Sequence, residues 1–256
     1  SLILVSGILF AGRNFAWLKF LKDKKEGISL IIAGLLVSFN WILYIWAVNN
    51  GRTIEAALGY YINPLISVVL GMCILRERIN LLQIIAFSMA VIGVVILFVF
   101  TGRPPWISLG LALSFGIYGL IKKTVKFSAM ESLGIETLTA LPVSIILLIG
   151  SFGTGQFSNQ QGISYLTELP VITLIFLVPC GLVTMLPLYL FAKGVKILPL
   201  STIGFLQFIA PTLTFLTGVF IFKESFLPFN YIVFGFIWLA VILYVVSLKR
   251  ESYLKL

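Results

Sequence analysis

Long apolar runs alternate with short polar breaks along the whole chain. The runs fall at roughly 1–12, 28–48, 54–75, 82–100, 106–123, 129–150, 170–192, 200–222 and 228–247. Most approach the ~20 residues that a helix needs to cross the hydrocarbon core of a bilayer. They are continuous rather than alternating, so they predict helices and not the strands of a barrel. The breaks carry turn formers and charges, as in Asn49-Asn50-Gly51-Arg52, Arg76-Glu77-Arg78 and Thr101-Gly102-Arg103-Pro104-Pro105. Two helix starts are legible: Asn80 with Gln83, and Ser128 with Glu131, have capping-box spacing ahead of an apolar run. The longest loop, about 151–169, is rich in Gly, Ser, Gln and Asn.

Composition turns this pattern into a solvent argument. The chain is 60% hydrophobic and 11% charged, with a mean hydropathy of +1.11. A soluble domain carries roughly a quarter of its residues as charges. This chain has too few polar groups to cover a water-facing surface, and backbone groups in lipid must be satisfied internally. The fold class that follows is all-α, a polytopic membrane helix bundle.

The net charge of +9 does not imply nucleic acid, because the charges sit at the ends of apolar runs rather than on one patch. They report orientation instead. If the Lys-rich loop 13–27 is cytoplasmic and every later run crosses, fifteen of the Lys and Arg residues lie on the cytoplasmic side. Lys122, Lys123 and Lys126 are among them. Only Arg52, Arg103 and Lys223 lie on the other side. Such asymmetry is the positive-inside signature, and it places the C-terminus in the cytoplasm. Cys73 and Cys180 lie inside apolar runs and read as buried free thiols. The chain has no His, which excludes a His-ligated metal, a Ser-His-Asp triad and a histidine proton relay.

The chain also repeats internally. Ala57–Ile79 aligns with Gly204–Phe226 at an offset of 147, matching Ile62 with Ile209, Pro64 with Pro211, Gly71 with Gly218 and Glu77 with Glu224. Leu43–Ala47 corresponds to Leu188–Ala192 in the preceding helices. Five spans separate each element from its copy, so the copies have opposite orientations. Inverted repeats of this kind are characteristic of secondary transporters. The repeats are expected at 1–101 and 105–249. Because the second has five spans, the expected architecture is an inverted arrangement of five plus five, ten helices in the parent. About nine are expected here, with the first incomplete and the first repeat N-terminally truncated.

The repeat also focuses the search for a site. Tyr60, Pro64, Ser67 and Gly71 share one helix face, and Gln207, Pro211, Thr214 and Gly218 share the equivalent face of the copy. Small residues let helices approach closely. Prolines free a carbonyl, and free backbone groups are tolerated only inside protein or against water. The two stripes are therefore read either as close packing or as the lining of a midplane cavity. Asn40 and Tyr44 are i,i+4 neighbours on the preceding helix, and Asn40 serves either as interhelical glue or as a substrate contact. Gly59 and Asn63 continue a face that begins at Glu55. Polar groups in an aromatic and aliphatic wall suit a small organic ligand. Trp46 reads as an interfacial anchor.

Two carboxylates lie within spans. Glu55 sits about one turn from the outer end of its helix, and Glu136 lies deeper. An ionisable group in a span is a functional candidate by default. Both are coupling candidates for protons, and pairing with Arg52 is the structural alternative for Glu55. Glu131 reads as a cap. Glu77 and Glu224 are expected to pair locally with Arg76, Arg78 or Lys223. No catalytic constellation, metal site or cofactor is expected.

The stretches Asn40–Asn49, Glu55–Leu65 and Leu75-Arg76-Glu77-Arg78 resemble RarD-type permeases. These belong to the EamA-like branch of the drug/metabolite transporter superfamily. The resemblance spans essentially the whole chain and is looser in the second half. It implies ten helices, cytoplasmic termini and a central cavity lined by the third, fourth, eighth and ninth helices. It also implies a multi-pass secondary carrier of the bacterial inner membrane that exports small metabolites or drug-like compounds. The expected partners are the lipid bilayer, a small-molecule substrate and the proton as coupling ion, with no nucleic acid. The competing readings are a non-transporting assembly subunit and a membrane-embedded enzyme. The first does not explain polar stripes repeated in both halves, and nine carboxylates scattered mostly at helix ends, with no His, argue against the second.

Overall fold

A computed structural model describes residues 24–102, 106–153, 171–221 and 228–254. Every regular element among them is a helix. We number them α1 (Lys24–Asn49), α2 (Thr53–Cys73), α3 (Leu81–Thr101), α4 (Trp106–Thr124), α5 (Ala129–Gly153), α6 (Val171–Ile197), α7 (Leu200–Gln207), α8 (Ile209–Phe220) and α9 (Pro228–Leu254). Their starts lie within a few residues of the predicted spans, while α6 and α9 run further than predicted, to Ile197 and Leu254 rather than 192 and 247, and the run 200–222 is divided between α7 and α8. The run 1–12 lies outside the described residues. Five of these helices, at Lys24–Asn49, Glu55–Cys73, Leu81–Phe100, Ala129–Ile146 and Tyr231–Lys249, are long and apolar enough to cross a membrane. The protein is a helical membrane bundle.

Both predicted capping boxes form. Asn80 Oδ1 accepts from the Gln83 N–H, and Gln83 Oε1 accepts from the Asn80 N–H, each at 2.9 Å. The Ser128 N–H donates to Glu131 Oε2, and the Glu131 N–H donates to Ser128 Oγ. Gly102, with φ +64°, closes α3 in the left-handed conformation that favours glycine.

The helices group into two compact units. One comprises residues up to Ser38 together with Ile121–Lys196, and the other Phe39–Leu120 together with residues from Ile197 on. In the first, Leu30 of α1 packs with Val125, Phe127 and Ile135. Gly34 lies so close to α5 that a Cβ there would stand 2.9 Å from Thr139 Cβ. In the second unit, α3 lies along α9. Ala86, Ala90 and Val94 form an i, i+4, i+8 row against Val233, Ile237 and Ala240. Small residues on such a row bring the helix backbones together where lipid supplies no hydrophobic drive. Leu65 and Val68 of α2 join this core with Phe205 and Phe208. Phe205 stacks on Tyr244, ring centroids 3.9 Å apart.

Cys73 corrects a sequence expectation. It is the last residue of α2 and is exposed. The apolar run outlasts the helix by two residues, so a position read as interior falls at its end. The side chain of Cys180 lies outside the described residues.

Candidate functional site

The candidate site belongs to the second unit, where α2 meets α7. Pro64 and Pro211 have no N–H, so the carbonyls of Tyr60 and Gln207 receive no hydrogen bond from four residues on. The two copies answer this loss differently. α2 continues through Pro64 as one helix, whereas the copy is interrupted at Phe208, which separates α7 from α8. Gly204 of α7 lies directly against this stretch of α2. A Cβ at Gly204 would stand 2.7 Å from the Pro64 carbonyl oxygen and 3.2 Å from Ser67 Cβ.

Close approach joins two amides at the break. Asn63 Nδ2 donates to Gln207 Oε1 at 2.8 Å. Asn63, Pro64, Ser67 and Pro211 are buried, and Gln207 is half-buried. The structure therefore brings together Asn63, Pro64, Ser67 and Gln207 from the sequence-derived set. The side chain of Thr214 lies outside the described residues.

The remaining candidates gather around α1, α2 and α4. Tyr44 and Tyr60 meet edge to face, ring centroids 5.9 Å apart, and both are exposed. Asn40 Nδ2 donates to the Leu111 carbonyl and to Ser114 Oγ of α4, each at 2.8 Å. This is the interhelical bond that an amide in an apolar span requires. Gly59 supports the same junction, since a Cβ there would lie 3.1 Å from Leu111 Cβ.

Glu55 is buried at the first turn of α2, with Arg52 Nη1 3.8 Å from Oε1. Ser108 Oγ donates to its backbone carbonyl. The Arg52 guanidinium stands 5.5 Å from the ring centroids of both Trp46 and Trp106, a cation–π arrangement. Trp46 thus pairs with arginine as well as facing outward.

In the first unit, Glu136 is buried and ion-paired. Lys122 Nζ donates to Glu136 Oε1 and to Ser132 Oγ, each at 2.6 Å. Lys122, counted above among the cytoplasmic-side charges at the ends of apolar runs, is fully buried. Successive helix residues point about 100° apart, so α4 turns Lys122 inward and leaves Lys123 partly exposed.

Glu77 corrects a second expectation. It does not pair with Arg76 or Arg78. Its Oε1 accepts from the Leu200 N–H at 2.6 Å and its Oε2 from the Ser201 N–H at 2.9 Å. A carboxylate placed there satisfies the orphan donors at the start of α7 and complements the helix dipole. Glu224 lies outside the described residues.

The EamA-like transporter family model matches residues 2–99 and again 105–246. The chain belongs to this family. It is 41% identical to the uncharacterized transporter YojE of Bacillus subtilis, over 98% of this chain and 84% of YojE. It is 38% identical to RarD of Escherichia coli, over 92% of this chain and 77% of that protein. Identity to RarD of Streptomyces exfoliatus is also 38%, over 95% and 75%. This EamA-like chain is a RarD-type permease, a multi-pass bacterial membrane transporter.

Proposed function

We propose that the chain is a secondary carrier that exports small organic metabolites or drug-like compounds across the bacterial inner membrane by alternating access. In this reading its C-terminus is cytoplasmic, and residues 1–101 and 105–249 form two inverted repeats. The observation that carries the proposal is the meeting of Asn63, beside Pro64 in the continuous α2, with Gln207, at the break between α7 and α8. Broken helices near the midplane are where secondary transporters hold their substrates. Tyr44, Gly59 and Tyr60 extend the wall, and Asn40 anchors it to α4.

Glu55 is the first candidate for proton coupling. It is buried within one turn of a helix end, with Arg52 at 3.8 Å, and an ionisable group at such a place is a functional candidate. Glu136, bonded to Lys122, is the second.

The test is flux of a metabolite panel in proteoliposomes, with and without a pH gradient. Substrate-specific flux is expected, accelerated by the gradient. Glu55→Gln is expected to lower that flux and flatten its pH dependence while expression persists. Absence of flux across a broad panel, from folded protein under either gradient, would overturn the carrier reading. Unchanged pH-dependent flux in the variant would remove Glu55 from the mechanism.

A further inference from the structure

The Asn63–Gln207 pair uses only part of its hydrogen-bonding capacity. Asn63 Oδ1 and Gln207 Nε2 are shielded from solvent and have no hydrogen-bond partner among the described residues. Asn63 itself is only 9% exposed. Turning both amides over exchanges the atoms without changing the outcome, since the pair again keeps one acceptor and one donor. Nearly all buried polar atoms in folded proteins are satisfied. An unfilled acceptor and an unfilled donor on one bonded pair therefore call for a ligand or a second state.

Three further observations define the ligand. No charged residue occurs from Ala56 to Leu75 or from Leu200 to Ile221, so this part of α2, α7 and α8 offers no counter-charge. A carboxylate or ammonium brought there would be an unpaired charge in an apolar medium, at heavy cost. The unfilled atoms form one acceptor and one donor, the complement of a neutral group with an N–H beside a C=O. Nor does the internal repeat impose the pair. Asn63 aligns with Ala210 and Gln207 with Tyr60, so no shared packing requirement places an amide at both positions.

We propose that the Asn63–Gln207 pair recognises an uncharged carboxamide-type group (carboxamide, lactam or ureido) on the transported compound. The group's N–H donates to Asn63 Oδ1, and its C=O accepts from Gln207 Nε2. This rests on the carrier reading for its purpose, but the binding is separable from transport. Because both atoms are shielded here, the ligand enters when α2 and α7 part, and its group then satisfies both atoms.

The experiment uses the full chain, purified, with four probes that share one phenylpropyl body. These are 3-phenylpropanamide, methyl 3-phenylpropanoate, 3-phenylpropanoate and 3-phenylpropylamine. Binding is read by tryptophan fluorescence, and flux is read separately in proteoliposomes. The amide is expected to bind about ten-fold more tightly than the ester, which lacks the donor. Asn63→Leu is expected to erase that preference, because it removes the acceptor for the amide N–H, and Gln207→Met is expected to weaken amide and ester alike, because it removes the donor to their shared carbonyl. Should Asn63→Leu fail to fold, the double variant Asn63→Leu/Gln207→Met, which leaves no unpaired amide, carries the same expectation of lost amide preference. Amide preference without flux would uphold the recognition site and overturn the carrier. Flux without amide preference, or a preference insensitive to both variants, would uphold the carrier and overturn the site. Neither binding nor flux of any probe would overturn the site, and the wider metabolite panel then decides the carrier reading separately.

Discussion

Lys122 Nζ lies 2.6 Å from Glu136 Oε1, with both side chains out of solvent. Removing one member of a buried pair leaves the other charge without its main counterpart. Lys122→Met is therefore expected to destabilise the protein by about 3–5 kcal/mol. The double variant Lys122→Met/Glu136→Leu, which removes both charges, is expected to recover most of that loss. Thermal unfolding midpoints in detergent measure both. Equal midpoints for the single and double variants would show that the pair does not act as a unit.

Glu77 reaches α7 only because Gly71 has no side chain. A Cβ at Gly71 would stand 2.6 Å from Glu77 Oε2 and 3.2 Å from the Ser201 nitrogen. Glu77→Ala removes the cap and is expected to cost about 1 kcal/mol. Gly71→Ala displaces the same carboxylate, so the two losses are expected to overlap rather than add. A double-mutant cycle on unfolding midpoints tests this, and strict additivity would separate Gly71 from the cap.

Asn63 and Gln207 make a stability prediction independent of any ligand. Asn63→Leu strips Gln207 of its one bond and leaves it with more unsatisfied polar atoms, an expected cost of about 1–3 kcal/mol. Asn63→Leu/Gln207→Met removes every polar atom of the pair and is expected to be near neutral or stabilising. A double variant weaker than the single would mean that the amides contribute more through packing than through hydrogen bonding.

Two helical glycines should respond oppositely to the same change. Gly204→Ala sets a Cβ 2.7 Å from the Pro64 carbonyl oxygen, a backbone atom that cannot swing away. α2 and α7 must then separate, and both stability and transport should fall. Gly235→Ala meets nothing within 4 Å and is expected to gain up to about 1 kcal/mol from helix propensity. Similar behaviour of the two variants would argue against close packing of α2 on α7.

Much of this was legible in the sequence, because it rests on local rules. Apolar run length placed the helices, and the capping spacing at Asn80 and Ser128 placed two of their starts. An amide at Asn40 in an apolar span had to find a donor–acceptor partner, and it did. Glu77 is different, because its donors, the Leu200 and Ser201 N–H groups, lie more than a hundred residues away and nothing near it distinguishes a cap from an ion pair. Lys122 and Lys123 are chemically alike, and only the phase of α4 against α5 sends one inward. Pro64 and Pro211 have similar local surroundings, yet one helix stays whole and the other breaks. Proline spacing alone does not tell which of the two helices breaks.

The interruption at Phe208 has a mechanical consequence. α7 is an eight-residue rod held at its start by Glu77, four residues beyond the end of α2, and at its finish by Asn63 of α2. For α2 and α7 to part, the bond at Asn63 must release, and the break at Phe208 means that this end of α7 does not have to carry α8 with it as one continuous helix.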